Sequence, residues 1–202
     1  MDLCCYHGGF SLNAKLNGMA TYCVGVDSSA AAIAICKANA ALNKVKVMEQ
    51  PQDHQRTFNE DDDNKDGAMV FVQDDVSRFL KSCQQRFDVI VLDPPKLAPT
   101  VAGLDRAARK YSALNRDALK LVSPHGGLLM TCTCSAAMTQ KDGGQYFLKM
   151  VQEAAVSAGR SITLLHTSGA ASCHTQSPIS YPAGAYLAAA LFYVSPTTTL
   201  QP

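Results

Sequence analysis

The 202-residue sequence predicts an α/β domain, a mostly parallel sheet of seven strands with helices on both faces. Three observations carry that expectation. Short apolar runs alternate with longer stretches of helical spacing, the pattern of βαβ units. Acidic residues follow several of those runs, where ligands sit in open parallel sheets. A hydrophobic content of 47% supplies one core, and the length favours a single domain over residues 1–202.

The elements follow in order. A strand is expected over residues 1–5, then a glycine turn and a helix over 11–18. The next strand is 22–27, after which Ser28 and Ser29 suit a helix cap, and Ile33, Cys36 and Ala40 share one apolar side of a helix reaching Asn43. Residues 46–67 are polar, acidic and without periodicity, and read as an inserted loop. A strand over 69–73 precedes a short helix in which Val76, Phe79, Leu80 and Cys83 recur at i, i+3, i+4 and i+7. Residues 87–92 form a buried strand. Leu104, Ala107, Ala108, Tyr111, Leu114, Ala118 and Leu121 mark a long helix, and a turn at 124–127 leads into a strand over 128–133. Phe147, Met150, Val151 and Ala154 mark the next helix, which Gly159 ends. Two closing strands are expected over 161–167 and 185–194, the alanine run at 188–190 leaving the last one ambiguous.

Net charge is only +1, so composition alone does not announce a nucleic-acid binder. Its distribution is uneven: residues 49–66 hold seven acids against Arg56 and Lys65, whereas 96–120 hold six bases against Asp105 and Asp117. The basic stretch suits either a phosphate backbone or a solvated helix face. Eight cysteines form no CxxC pair and lie mostly in apolar patterns, so reduced thiols and an intracellular setting, cytoplasmic or organellar (mitochondrion or plastid), are expected. Neither a membrane span nor a signal peptide is expected. No metal site is expected, because Cys4-Cys5 and Cys132-x-Cys134 lack a partner pair at zinc spacing.

Chemistry concentrates at the ends of the apolar runs. Tyr6-His7-Gly8-Gly9-Phe10 follows the first, and Asp27, with Ser28 beside it, ends the second. Glycines permit close backbone approach and an acid about 20 residues on binds ribose hydroxyls. The turn lacks the third glycine that a nicotinamide pyrophosphate needs, which points to S-adenosylmethionine. Asp75 is placed to accept from an adenine amino group with the Val76 backbone beside it, Asp74 ranks second, and Asp2 is placed to orient the glycine turn or meet the cofactor's charged end. A helix cap or a solvated loop is the competing reading for each acid.

The fourth strand runs into Asp93-Pro94-Pro95-Lys96. Prolines stiffen that exit and remove amide donors, so the carboxylate and nearby carbonyls present a rigid edge to a planar base. The fifth strand ends in Thr131-Cys132-Thr133-Cys134-Ser135. Carbon-5 of a pyrimidine is a poor nucleophile until a thiolate adds at carbon-6, and Cys134 is where that thiolate would sit. Cys132 lies deeper and reads as core.

The runs DLCCYHGGFS, VLDPPKL, RKYSALNRDALKL, LLMTCTCS and YPAGAYL together resemble the PUA-linked 23S ribosomal RNA cytosine-5 methyltransferases, over nearly all the chain except the acidic insert. The resemblance implies a Rossmann-like class I methyltransferase fold, S-adenosylmethionine as cofactor, large-subunit rRNA as partner and 5-methylcytosine as product. It also implies Cys134 as nucleophile, Asp93 as the acid that orients the base, Asp27 as the ribose acid and Asp75 as the adenine contact. Pro94, Pro95 and Lys96 fall at the substrate, and Tyr111 and Asn115 shape the base pocket. Members usually carry PUA and linker domains ahead of the first strand, at which this chain begins. Ala183 and Ala188 stand where relatives show an acid and a lysine, and His7 stands for a threonine and reads as a solvent-facing turn residue. A homodimer is left open. The rival readings are an amino-directed nucleic-acid methyltransferase, with Cys134 as packing, and a cofactor-binding ribosome-assembly scaffold without turnover.

Overall fold

A computed structural model describes residues 1–48, 68–98, 101–172, 174, 179–181 and 184–197. Eight strands form one sheet: β1 (Asp2–Leu3), β2 (Tyr22–Asp27), β3 (Val47–Met48), β4 (Ala68–Gln73), β5 (Val89–Leu92), β6 (Gly127–Thr133), β7 (Ile162–Ser168) and β8 (Ala188–Val194). Their order is β3-β4-β2-β1-β5-β6-β8-β7. Pairings from β3 through β6 are parallel, and β8 runs antiparallel to both β6 and β7. Seven of these strands answer the sequence pattern. The eighth, β3, is a two-residue edge strand at the start of the expected insert; the remaining residues of that insert, 49–67, lie outside the described residues.

The helices are α1 (Gly9–Leu16), α2 (Ala30–Leu42), α3 (Val76–Ser82), α4 (Leu104–Leu121), α5 (Ala136–Thr139) and α6 (Gln145–Ser157). They cover both faces, and the period-2 alternation of β4 decides which covers which. Met69 and Phe71 pack with Leu12 of α1 and Ile33, Cys36 and Ala40 of α2. Val70 and Val72 point the other way, into a cluster with Leu80 of α3, Leu114 and Ala118 of α4 and Ala155 of α6. A strand apolar on both faces is what a central parallel strand requires. Gly25 of β2 admits no side chain, because a Cβ there would stand 2.6 Å from the Phe71 ring.

Chain order reverses at β1, which pairs with β2 on one side and β5 on the other. The crevice beyond the carboxyl ends of such strands is where open α/β sheets bind ligands. β1 is shorter than expected. The amides of Cys4 and Cys5 both donate to the carbonyl of Val26, and Cys4 takes φ +64°, which turns the chain off the ladder three residues before the glycines. The first helix accordingly starts at Gly9 and not at Ser11.

Candidate active site

The β1 exit is a sharply wound loop. Cys4, Tyr6 and Gly8 all have left-handed backbones, at φ +64°, +49° and +76°. Gly8 is required there, since a Cβ would also press on Phe71 and on the Cys36 sulfur at 3.2 and 3.3 Å. Gly9 has open space where its side chain would be, and the rings of Tyr6 and Phe10 are exposed beside it. His7 is half-buried and stacks on Tyr6 with centroids 3.6 Å apart, while its carbonyl accepts from the Asn39 amide of α2. His7 stands in the turn expected for it, partly covered by that packing.

Two acids brace this loop. Asp27 at the end of β2 accepts from the Tyr6 amide at 3.0 Å and, through its other oxygen, from the Ser29 amide at 2.9 Å. A carboxylate has about four lone-pair sites, so each oxygen keeps acceptor capacity. Ser28 is exposed beside it, and Ser29 caps α2 through the Ala32 amide. Asp2 is buried at 3% exposure, and one of its oxygens accepts from both the amide and the hydroxyl of Ser11. Its other oxygen is buried and has no hydrogen-bond partner among the described residues. Burial raises its carboxyl above the ordinary carboxylate range, against the two Ser11 bonds that lower it.

Beyond β4, Asp75 caps α3 by accepting from the Arg78 amide, and Val76 is buried behind it. Asp74 is buried and ion-paired with Arg78, and its amide donates to the Asp27 carbonyl. Asp74 thereby ties β4 to β2 and offers less than Asp75 to a ligand. An open groove along α3, lined by Asp75, Ser77, Arg78, Lys81 and Ser82, leaves out Asp27, Asp93 and Cys134.

The second half of the site lies at the β5 and β6 exits. Leu92, the last residue of β5, is in register with Thr131, and β6 runs two residues further to Thr133, so the Asp93 and Cys134 exits lie on neighbouring strands but are offset along them. Asp93 donates its amide to the Leu3 carbonyl, and Pro94 is buried while Pro95 and Lys96 are exposed. Burial raises the Asp93 carboxyl above its ordinary range. Cys134 is half-buried, and its thiol is pushed up first by burial and then by the negative charge of Asp93. Cys132 is buried at 4% exposure, with its thiol raised to about 12 by the same two causes, as befits a core position.

Tyr111 and Asn115 sit behind this pair, not on its surface. Both are fully buried. The Tyr111 hydroxyl accepts from Thr133 Oγ1 at 3.0 Å, and the Asn115 side-chain amide donates to the Tyr111 carbonyl within α4. Any influence they have on a base pocket passes through the residues in front. Ala188 is in register with Thr133, beside the β6 exit, whereas Ala183 lies outside the described residues.

Comparison with known proteins fits this geometry. No family model matches the chain. A protein described as a SAM-dependent methyltransferase from Streptococcus mutans superposes with TM-score 0.69 at 19% identity, covering 95% of this chain and 43% of its own. SMU.776, a methyltransferase structure complexed with SAH, gives TM-score 0.68 at 20% identity over 95% and 44%. The fold is that of the class I methyltransferases. Curated relatives called ribosomal RNA large subunit methyltransferase I are similar in sequence: that of Aeromonas hydrophila is 39% identical over 188 residues and that of Enterobacter sp. 34% identical over 187. The chain spans 40% of the length of these relatives.

Within the methyltransferase fold, sequence reasoning passed over two residues at this rim. Thr133 and Ser135 flank Cys134, both fully buried, and the Ser135 hydroxyl donates to the Ala98 carbonyl at 2.7 Å. The signal that points to them is polarity: hydroxyls inside an otherwise apolar strand end need partners.

Proposed function

We propose that this chain is the catalytic domain of an S-adenosylmethionine-dependent methyltransferase that acts on large-subunit ribosomal RNA and forms 5-methylcytosine through a Cys134 adduct. The observation that carries the reading is that Asp93 and Cys134 follow neighbouring parallel strands, β5 and β6, at the same edge of the sheet.

The cofactor-facing residues fit the group. Asp27 retains acceptor capacity for ribose hydroxyls, the unpartnered Asp2 oxygen suits the amino end of the ligand directly or through water, and Gly9 leaves space for close approach. Asp75 and Val76 stand where the adenine would lie, with Tyr6, Phe10 and Ser28 at the mouth. S-adenosylmethionine supplies an electrophilic methyl group. The protein's own part is to prepare the base. A cytosine turned out of its stack enters between the Asp93 turn and Cys134. The Cys134 thiolate adds to carbon-6 while the ring nitrogen takes a proton through the Asp93 carboxyl, whose hold on protons burial strengthens, so carbon-5 becomes an enamine carbon. After methylation a base, such as a water, takes the carbon-5 proton, Cys134 leaves as thiolate and the ring nitrogen gives its proton back. Pro94, Pro95 and Lys96 form the edge against which the base lies. The relatives' name supports large-subunit rRNA as the partner.

The raised Cys134 thiol favours one rival, an amino-directed methyltransferase in which the sulfur only packs. Incubation with rRNA containing 5-fluorocytosine separates the two. The expected outcome is a covalent complex whose crosslinked peptide contains Cys134, together with loss of turnover in Cys134→Ala. Methyl transfer that survives Cys134→Ala without an adduct would establish the amino-directed chemistry instead.

A further inference from the structure

We propose that Tyr111, Thr133 and Ser135 are positioning residues, a buried chain of hydroxyls that fixes the loop carrying Asp93 against the strand end carrying Cys134. The proposal rests on the reading of these two groups as the reacting pair.

Cys134 is held from both sides. Ser135 Oγ donates to the Ala98 carbonyl at 2.7 Å, across 37 residues of sequence. Thr133 Oγ1 donates to the Tyr111 hydroxyl at 3.0 Å and accepts from the Ser135 amide at 3.3 Å. The loop after β5 is therefore tied at its start by Asp93 to Leu3 and at its end by Ala98. Thr133, Ser135 and Tyr111 have no exposure and Ala98 only 1%.

Apolar packing alone does not call for this arrangement. A buried hydroxyl costs stability unless paired, and valine or phenylalanine would fill the same space at no such cost. Thr131, two residues earlier on β6 and equally buried, leaves its hydroxyl without a hydrogen-bond partner among the described residues. Pairing sets in where the strand reaches the reacting residues. Satisfied polar networks rigidify what they join, and misplacement by about 1 Å costs on the order of 100-fold in rate.

The test compares Thr133→Val, which keeps shape and loses the hydroxyl, with Thr133→Ser, which keeps the hydroxyl, and adds Ser135→Ala. Two readouts are taken on the full chain: methylation of 23S rRNA transcript, and the pH dependence of Cys134 alkylation by iodoacetamide, followed by peptide mass spectrometry without RNA or cofactor. The titratable groups facing Cys134 are Asp93 from the β5 exit, Cys132 on its own strand and Tyr111 from α4. Loosening the clamp exposes the thiol and withdraws Asp93, and both changes lower its titration midpoint. Expected are a fall of about 100-fold in kcat with unchanged KM for the cofactor, and a downward shift of the alkylation midpoint, in Thr133→Val and Ser135→Ala but not in Thr133→Ser. Folded variants that keep the wild-type kcat and midpoint would overturn the clamp. Should those variants not fold, hydrogen exchange on the wild type decides: the Ser135 amide exchanges as slowly as the β6 core if the clamp holds, and fast exchange overturns it. Methylation surviving Cys134→Ala removes the premise instead, and the alkylation readout, which needs no turnover, keeps that failure distinct.

Discussion

At the scale of single residues, the proposed chemistry turns on the protonation of Cys134. Its thiol is raised by burial and by Asp93, so at neutral pH the folded protein holds it as a thiol, and the reactive thiolate grows as pH climbs toward and past the ordinary thiol value. Below the midpoint each pH unit multiplies the thiolate by about ten. Adduct formation with 5-fluorocytosine rRNA, measured in single turnover, should rise at about that slope from pH 7 upward and stay unsaturated through the ordinary thiol range. A plateau below pH 8 would mean that a base in the assembled complex takes the proton. Cys134 and Asp93 were legible in the sequence because each follows an apolar run directly. Asp27 was legible for the same reason. The hydroxyl clamp was not, because Ser135 and Ala98 are 37 residues apart and nothing local to either announces the other. Asp75 offered a cap and a ligand contact equally well, and the structure shows it making the cap.

At the scale of elements, α4 has the bounds its apolar spacing predicts, Leu104–Leu121, because its buried positions recur without interruption and the chain leaves the helix at once on reaching Val122. β1 lost residues at its end for a reason no propensity encodes: two non-glycine residues accept left-handed backbones once Val26 and Asp27 supply hydrogen bonds. The end of α4 has a fastener that spacing does not disclose. Arg160, 9% exposed, donates to the carbonyls of Val122 at 2.8 Å, Ser123 at 3.0 Å and Ser195 at 3.2 Å, with a longer contact to Leu119. It thus joins the carboxyl end of α4, the turn before β6 and the chain after β8, and its partly desolvated guanidinium is lowered from its ordinary value by burial. Arg160→Met keeps the stem and strands those carbonyls, at a cost of about 3 kcal/mol. Urea unfolding should show a lower midpoint at unchanged slope; a loss under about 0.5 kcal/mol would mean that water replaces the donors.

Across the whole molecule, a net charge of +1 conceals a division that bears on an RNA partner. Lys96, Arg106, Arg109 and Lys110 are exposed on the Asp93 loop and the first half of α4, with Asp105 among them, whereas Arg116 and Lys120 further along the same helix pair with Asp117. Tyr111 reaches the β6 exit from the buried side of that first half, and Arg106, Arg109 and Lys110 lie on its exposed side. Among the described residues no helix is long and apolar enough to cross a membrane. Under the proposed function these exposed cations would meet a polyanion. Each phosphate neutralised contributes roughly 0.7–0.9 to the slope of log affinity against log salt. Replacing Arg106, Arg109 and Lys110 together by glutamine should therefore flatten that slope by about 2 for a 23S rRNA fragment, while cofactor affinity, which the proposal sets on the β1 and β2 side of the sheet, stays constant. Filter binding over a salt series measures the slope and calorimetry measures the cofactor. An unaltered slope would assign the phosphate contacts to another surface and leave these cations as solvating charge.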